Sequence, residues 1–235
     1  MHYWNKRNFE GLKNIGEYYS DHPILNGFSE YCLLREIGLR KKALKTMESF
    51  IASVKQENIS SQRSVVNELV RLKFNNRDVH HLFVRNLSVY VEDVLKKWII
   101  DEDNVIPYRW LGYISKNTTY YEKALLIDPT DRISSIELIR LTLKDLWYQT
   151  HHLSESLLLG TTEEAEESLK LIKKIIDDID DNLIDEKLLY DYNYYLDVIE
   201  TWKEYKTSNT EVSFPNWSHN RGKLFCFTEA FYYID

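Results

Sequence analysis

The sequence predicts an all-α fold of stacked antiparallel helical hairpins, about nine to eleven helices in one domain spanning residues 1–235. Three observations carry that expectation. Seven Gly and four Pro in 235 residues are too few to punctuate an all-β or a parallel α/β chain. Apolar residues recur at steps of three and four along most of the sequence, the period of a helix face. Hydrophobic residues at 43% and charged residues at 29% give a chain able to bury a core.

Asn8 to Tyr19 form the first amphipathic segment, ended by Asp21-His22-Pro23, because a proline disfavours helical geometry in the residue before it. A helix over Phe28 to Ile37 breaks at Gly38. A second, from Arg40 to Lys55, carries Ala43, Leu44, Met47, Phe50, Ile51 and Val54. Ser60-Ser61 open the next, with Val65, Leu69, Val70 and Leu72, and Asn75-Asn76 close it. Asp78 is placed to cap a long helix reaching Ile100. Asp101 to Asn104 interrupt the chain and mark a possible boundary between sub-layers 1–100 and 105–235.

Short helices over Pro107 to Ile114 and Thr119 to Ile127 come next, and Pro129 stops the second. Ser134 with Glu137 has the spacing of a capping box, opening a helix to Leu158. Gly160 ends it, and Thr161 with Glu164 repeats the pattern before the stripe Ala165, Leu169, Ile172, Ile176 and Ile179. After a break at Asp180 to Asn182, a long helix carries Leu188, Tyr192, Tyr195, Ile199 and Trp202 inward. Val212 to Trp217 reads as extended, and Leu224 to Tyr233 as a short apolar helix or strand.

Charge is unevenly distributed. Residues 1–100 hold 16 Lys and Arg against 11 Asp and Glu, whereas residues 161–200 hold 4 against 13. Glu163, Glu164, Glu166 and Glu167 suit the positive end of a helix dipole. Asp177, Asp178, Asp180 and Asp181 sit at the opposite end, where the dipole disfavours them. The second group reads either as a solvated helix end or, with the first, as an electrostatic surface for a basic partner. The chain has 17 Tyr and 6 Trp, and Tyr190, Tyr194 and Tyr205 do not all fit the inward stripe of the last long helix, so each is either a surface ring or packs against another layer. Exposed Tyr beside carboxylates is the composition of a binding hot spot. The expected partner-binding residues are therefore Glu163, Glu166, Glu167, Asp177, Asp178, Asp181, Tyr190 and Tyr194.

Chemistry motifs are lacking. The pairs His80-His81 and His151-His152 point apart on a helix, so neither pair chelates one ion. Glycine-rich phosphate loops, nucleophile elbows and His-Glu-x-x-His are missing, so no catalytic, metal or cofactor residues and no small-molecule substrate are expected. Cys32 and Cys226 fit no metal spacing and read as buried free thiols. No leader or membrane span is evident, which suggests a cytoplasmic protein. Arg35, Arg40, Lys41, Lys42, Lys45, Arg71, Lys73, Arg77 and Arg85 suit phosphates, but Glu36, Glu48 and Glu68 interleave them, so nucleic acid is a lesser expectation.

Two segments resemble the second helix of a tetratricopeptide repeat: Gly38, Ala43, Met47 and Phe50, and then Tyr121, Ala124, Asp128 and Pro129. Asn117 departs from the small residue expected in the second copy, and the two are out of register with a 34-residue period. This likeness implies stacked helical hairpins of TPR-like or HEAT-like kind. The whole chain resembles helical immunity proteins of bacterial polymorphic and contact-dependent toxin systems. Its tail, Gly222-Lys-Leu-Phe-Cys-Phe-Thr-Glu-Ala-Phe, is similar to an aromatic-Glu-Ala closing motif of one such group, with an irregularity at Thr228. That resemblance implies a protein that binds one cognate toxin domain, commonly a nuclease with a basic cleft, and occludes it. A helical scaffold that grips a peptide is the alternative, and a nucleic-acid binder the third.

Overall fold

The protein is all-α. In the computed structural model, which describes residues 6–179 and 185–226, the described residues form eleven α-helices, one 3-10 turn and no strand. Two compact units divide the chain, Met1–Ile127 and Asp128–Asp235.

The first unit contains α1 (Lys6–Tyr18), α2 (Asn26–Glu36), α3 (Arg40–Val54), α4 (Ile59–Asn75), α5 (Arg85–Asp101), α6 (Val105–Ser115) and α7 (Thr118–Ile127). Short connections fold successive helices back on each other, most tightly at α1–α2, α2–α3 and α6–α7. Gly38 performs the α2–α3 turn. At φ 81° it lets its own N–H reach the Arg35 carbonyl and the Leu39 N–H reach that of Leu34, closing a Schellman motif. In α6–α7 the helices approach so closely that a Cβ on Gly112 would meet the Tyr121 ring at 2.8 Å. Ala43, Met47 and Phe50 on α3, and Tyr121 and Ala124 on α7, are all buried. They join Leu12, Phe28, Val66, Leu69, Leu87 and Leu95 in the core. The Asp101 to Asn104 interruption lies inside this unit, where Asn104 caps α6 by accepting from Ile106 N–H.

Asp78 does not begin a helix; it faces Arg7 at 3.6 Å, and α5 starts at Arg85. Tertiary bonds hold the intervening loop. Tyr31 donates to the His81 carbonyl at 2.5 Å, and the Asn8 side chain bonds both the His81 ring and its backbone N–H. Val79 and Leu82 are buried from this loop rather than from a helix.

The second unit contains α8 (Arg132–Thr150), the 3-10 turn Leu153–Glu155, α9 (Thr162–Asp178), α10 (Glu186–Thr207) and α11 (Phe214–His219). α8, α9 and α10 pack on one another, and α11 packs on α10 and the 3-10 turn. Leu153, Val198, Trp202, Phe214 and Trp217 form a core cluster there. The Thr161–Glu164 capping box is present. The Ser134–Glu137 box is not: Asp131 caps α8 by accepting from Ser134 N–H, and Glu137 pairs with Arg140 at 2.7 Å. α8 also stops at Thr150 rather than Leu158, where Thr150 Oγ1 bonds back to the Leu146 carbonyl and a 3-10 turn follows. Phe214 to Trp217 are helical rather than extended, since Pro215 in the first turn has a φ suited to a helix start and loses no needed N–H. The expected Leu224 to Tyr233 element has no regular structure through Cys226, and its remainder lies outside the described residues.

Candidate functional site

Helical geometry decides how the expected binding residues are shared out. Tyr190 and Tyr194 are four positions apart and lie on one face of α10. Tyr192 is two positions from each, roughly 200° around the axis, and with Leu196 and Ile199 it lines the opposite side. The structure therefore builds two grooves on α10.

One groove, between α9 and α10, has a volume of about 670 Å³. Leu169, Tyr192, Leu196 and Ile199 line it, and charged groups surround them. Glu166, Asp177 and Asp178 come together here with Glu200, but so do Lys170, Lys173, Lys174 and Lys203. Glu166 is paired with Lys203, which holds its carboxyl below the usual range, and Asp177 with Lys173. Glu164 is occupied by the capping box. Among the described residues, Glu163, Glu167 and Asp178 carry no ion pair. Asp181 lies outside the described residues.

The other groove, between α8 and α10, is aromatic. A cavity of about 300 Å³ is lined by Trp147, His151, Tyr190, Tyr194, Tyr195 and Val198 among others. It continues past Trp147, Asp191 and Tyr195 into a second hollow of about 430 Å³ bearing Arg140, Lys144 and Lys187. Tyr190 is 69% exposed, Tyr148 60% and Trp147 48%, so three large rings of this region meet solvent. The Trp147 and His151 rings stack at 5.5 Å and 20°. Tyr194 is held, its hydroxyl donating to the Cys226 carbonyl at 3.2 Å. Burial pushes the Tyr195 hydroxyl up to about 12, so it stays a neutral donor at any ordinary pH.

Trp147 and His151 are not among the residues expected from sequence. The available signal was that Trp147 falls off the inward stripe Ile139, Leu143, Leu146, Thr150. Cys226 is an exposed free thiol, against the expectation of burial, whereas Cys32 is buried on α2 and its thiol pKa is raised by desolvation. His152 faces Glu155 at 2.9 Å. Among the described residues, no three His, Cys, Asp or Glu side chains are grouped as metal ligands, and no helix is long and apolar enough to cross a membrane.

Counted by unit, the second holds 22 carboxylates against 11 Lys and Arg, a net of −11, while the first holds 15 against 19, a net of +4. Comparison with protein-family models, curated proteins and solved structures finds no match to this chain.

Proposed function

We propose that this chain is an immunity-type protein that binds and neutralises a toxin domain carrying a basic surface. The observation that supports this most is the pairing, within one unit of net charge −11, of exposed Trp147 and Tyr190 rings on one groove with carboxylates that carry no ion pair among the described residues. Aromatic side chains supply large contact area at low entropic cost, and the surrounding negative field draws in a basic domain. Glu163, Glu167 and Asp178 are carboxylates whose field would steer cationic groups of the partner toward the aromatic face. Tyr190 and Trp147 would anchor it.

The test is co-expression of the full chain with the product of the adjacent reading frame. Growth arrest by that product alone, relieved by the full chain and restored by Trp147→Ala with Tyr190→Ala, is the expected result. A harmless neighbour, or protection indifferent to both substitutions, would sink the proposal. A peptide-binding adaptor is the second reading. The α9–α10 groove favours it, because apolar residues set between Lys and Glu side chains suit an amphipathic segment.

A further inference from the structure

A cavity in the first unit draws cations from four separate stretches of chain. It lies where the last turn of α4, the 77–84 loop, the start of α5 and the end of α6 come together, with a volume of about 390 Å³. Lys73, Arg77, His80, Arg85 and Lys116 line it, and among the described residues no carboxylate does. Aromatic faces orient three of these groups. Lys73 Nζ lies 4.6 Å from the centre of the Phe83 ring, Lys116 Nζ 4.4 Å from Tyr113, and the Arg77 guanidinium 4.8 Å from Phe74.

The ordinary explanation for such lysines is the helix dipole. Lys73 in the last turn of α4 and Lys116 at the end of α6 sit where a dipole favours cations. Arg85 does not fit that account. It is the first residue of α5, where a cation is disfavoured, and the preceding Val84 has no side chain able to cap the helix. Arg85 thus adds positive charge that the dipole does not account for, while on its other side it borders a hollow with Glu48 and Asp93. Burial and the neighbouring Lys116 both depress the Lys73 pKa, the mark of an ammonium placed beside like charge.

We propose that this cavity binds a compact phosphate-rich anion of small-molecule size, either an inorganic polyphosphate or the phosphate tail of a nucleotide. Lys73, Arg85 and Lys116 are the residues assigned to hold it. A small ligand suits a hollow of about 390 Å³ better than a nucleic-acid strand does. Arg71, the nearest further cation on α4, is tied to Glu68 by two hydrogen bonds. The site lies in the first unit and does not depend on the toxin-binding reading.

Calorimetric titration of the full chain with tripolyphosphate, with ATP and with a single-stranded DNA oligonucleotide tests it. Saturable binding of tripolyphosphate is expected, weakened at least about tenfold in Arg85→Gln/Lys116→Gln. Both of those side chains are exposed, so the variant should keep the thermal unfolding curve of the parent. Equal affinity for ATP would identify the phosphates alone as the feature read, and tighter ATP binding would identify a nucleotide. No heat from tripolyphosphate, affinity unchanged in the variant, or oligonucleotide binding without tripolyphosphate binding would each overturn the proposal.

Discussion

Glu68 shows how a single side chain couples two helices to pH. It accepts from Tyr19 at the end of α1 and from both Nε and a terminal nitrogen of Arg71 at 2.9 and 2.7 Å. Burial alone would raise its pKa, but the hydrogen bonds from Arg71 and Tyr19 outweigh that and hold it low. The folded value thus lies below the unfolded one. The stability it contributes is complete above the unfolded value of about 4.3 and is lost as pH falls through the folded one. Glu68→Gln should cost about 1–2 kcal/mol at neutral pH, since charge-assisted bonds become neutral ones. In urea melts the gap between parent and variant should hold from neutral pH down to about pH 5 and narrow as pH falls below about 4.3. A gap constant over that range would show that the carboxylate's charge is not what matters.

Elements test the packing claims. Gly112→Ala places a methyl group against the buried Tyr121 ring, which cannot swing away. Overpacking costs about 1–3 kcal/mol, partly offset by the roughly 1 kcal/mol that Ala gains over Gly in a helix, so a net loss of about 1 kcal/mol in the α6–α7 hairpin is expected. A thermal melt that rises instead would show that the hairpin opens easily. Phe214→Ala removes a fully buried ring that meets Trp202 at 5.1 Å, and should cost about 3–5 kcal/mol with a change in tryptophan fluorescence. Local rules made part of this legible from sequence. Gly38 and the Thr161–Glu164 box act within five residues, so their geometry follows from spacing. The 78–84 loop was not legible, because Asn8 and Tyr31 hold it from far along the chain. The site divides likewise. The opposed faces of Tyr190 and Tyr192 follow from helical pitch alone. That Trp147 of α8 shares a cavity with Tyr190, or that Lys116 of α6 joins Lys73 and Arg85, depends on how the helices pack.

Charge sets the behaviour of the whole molecule more than any single pair. Sequence alone shows a strongly acidic stretch, but local lysines quench part of it: the α9–α10 groove brings four carboxylates and four lysines together. What survives at a distance is the net −11 of the second unit. Exposed charges are screened beyond about 10 Å at ordinary ionic strength, so this field governs the rate of encounter more than the strength of the final contact. Reversing Asp177 and Asp178 to Lys takes the unit to −7. It also breaks the Lys173–Asp177 pair, although exposed pairs of this kind contribute little to stability. Association with the proposed basic toxin domain should slow by roughly three- to tenfold at low salt, and the difference should fade as salt rises, with dissociation nearly unchanged. Stopped-flow rates across a salt series measure both. If the reversal instead speeds dissociation at every salt concentration, these aspartates lie inside the contact, and the partner sits in the α9–α10 groove rather than on the aromatic face around Trp147 and Tyr190.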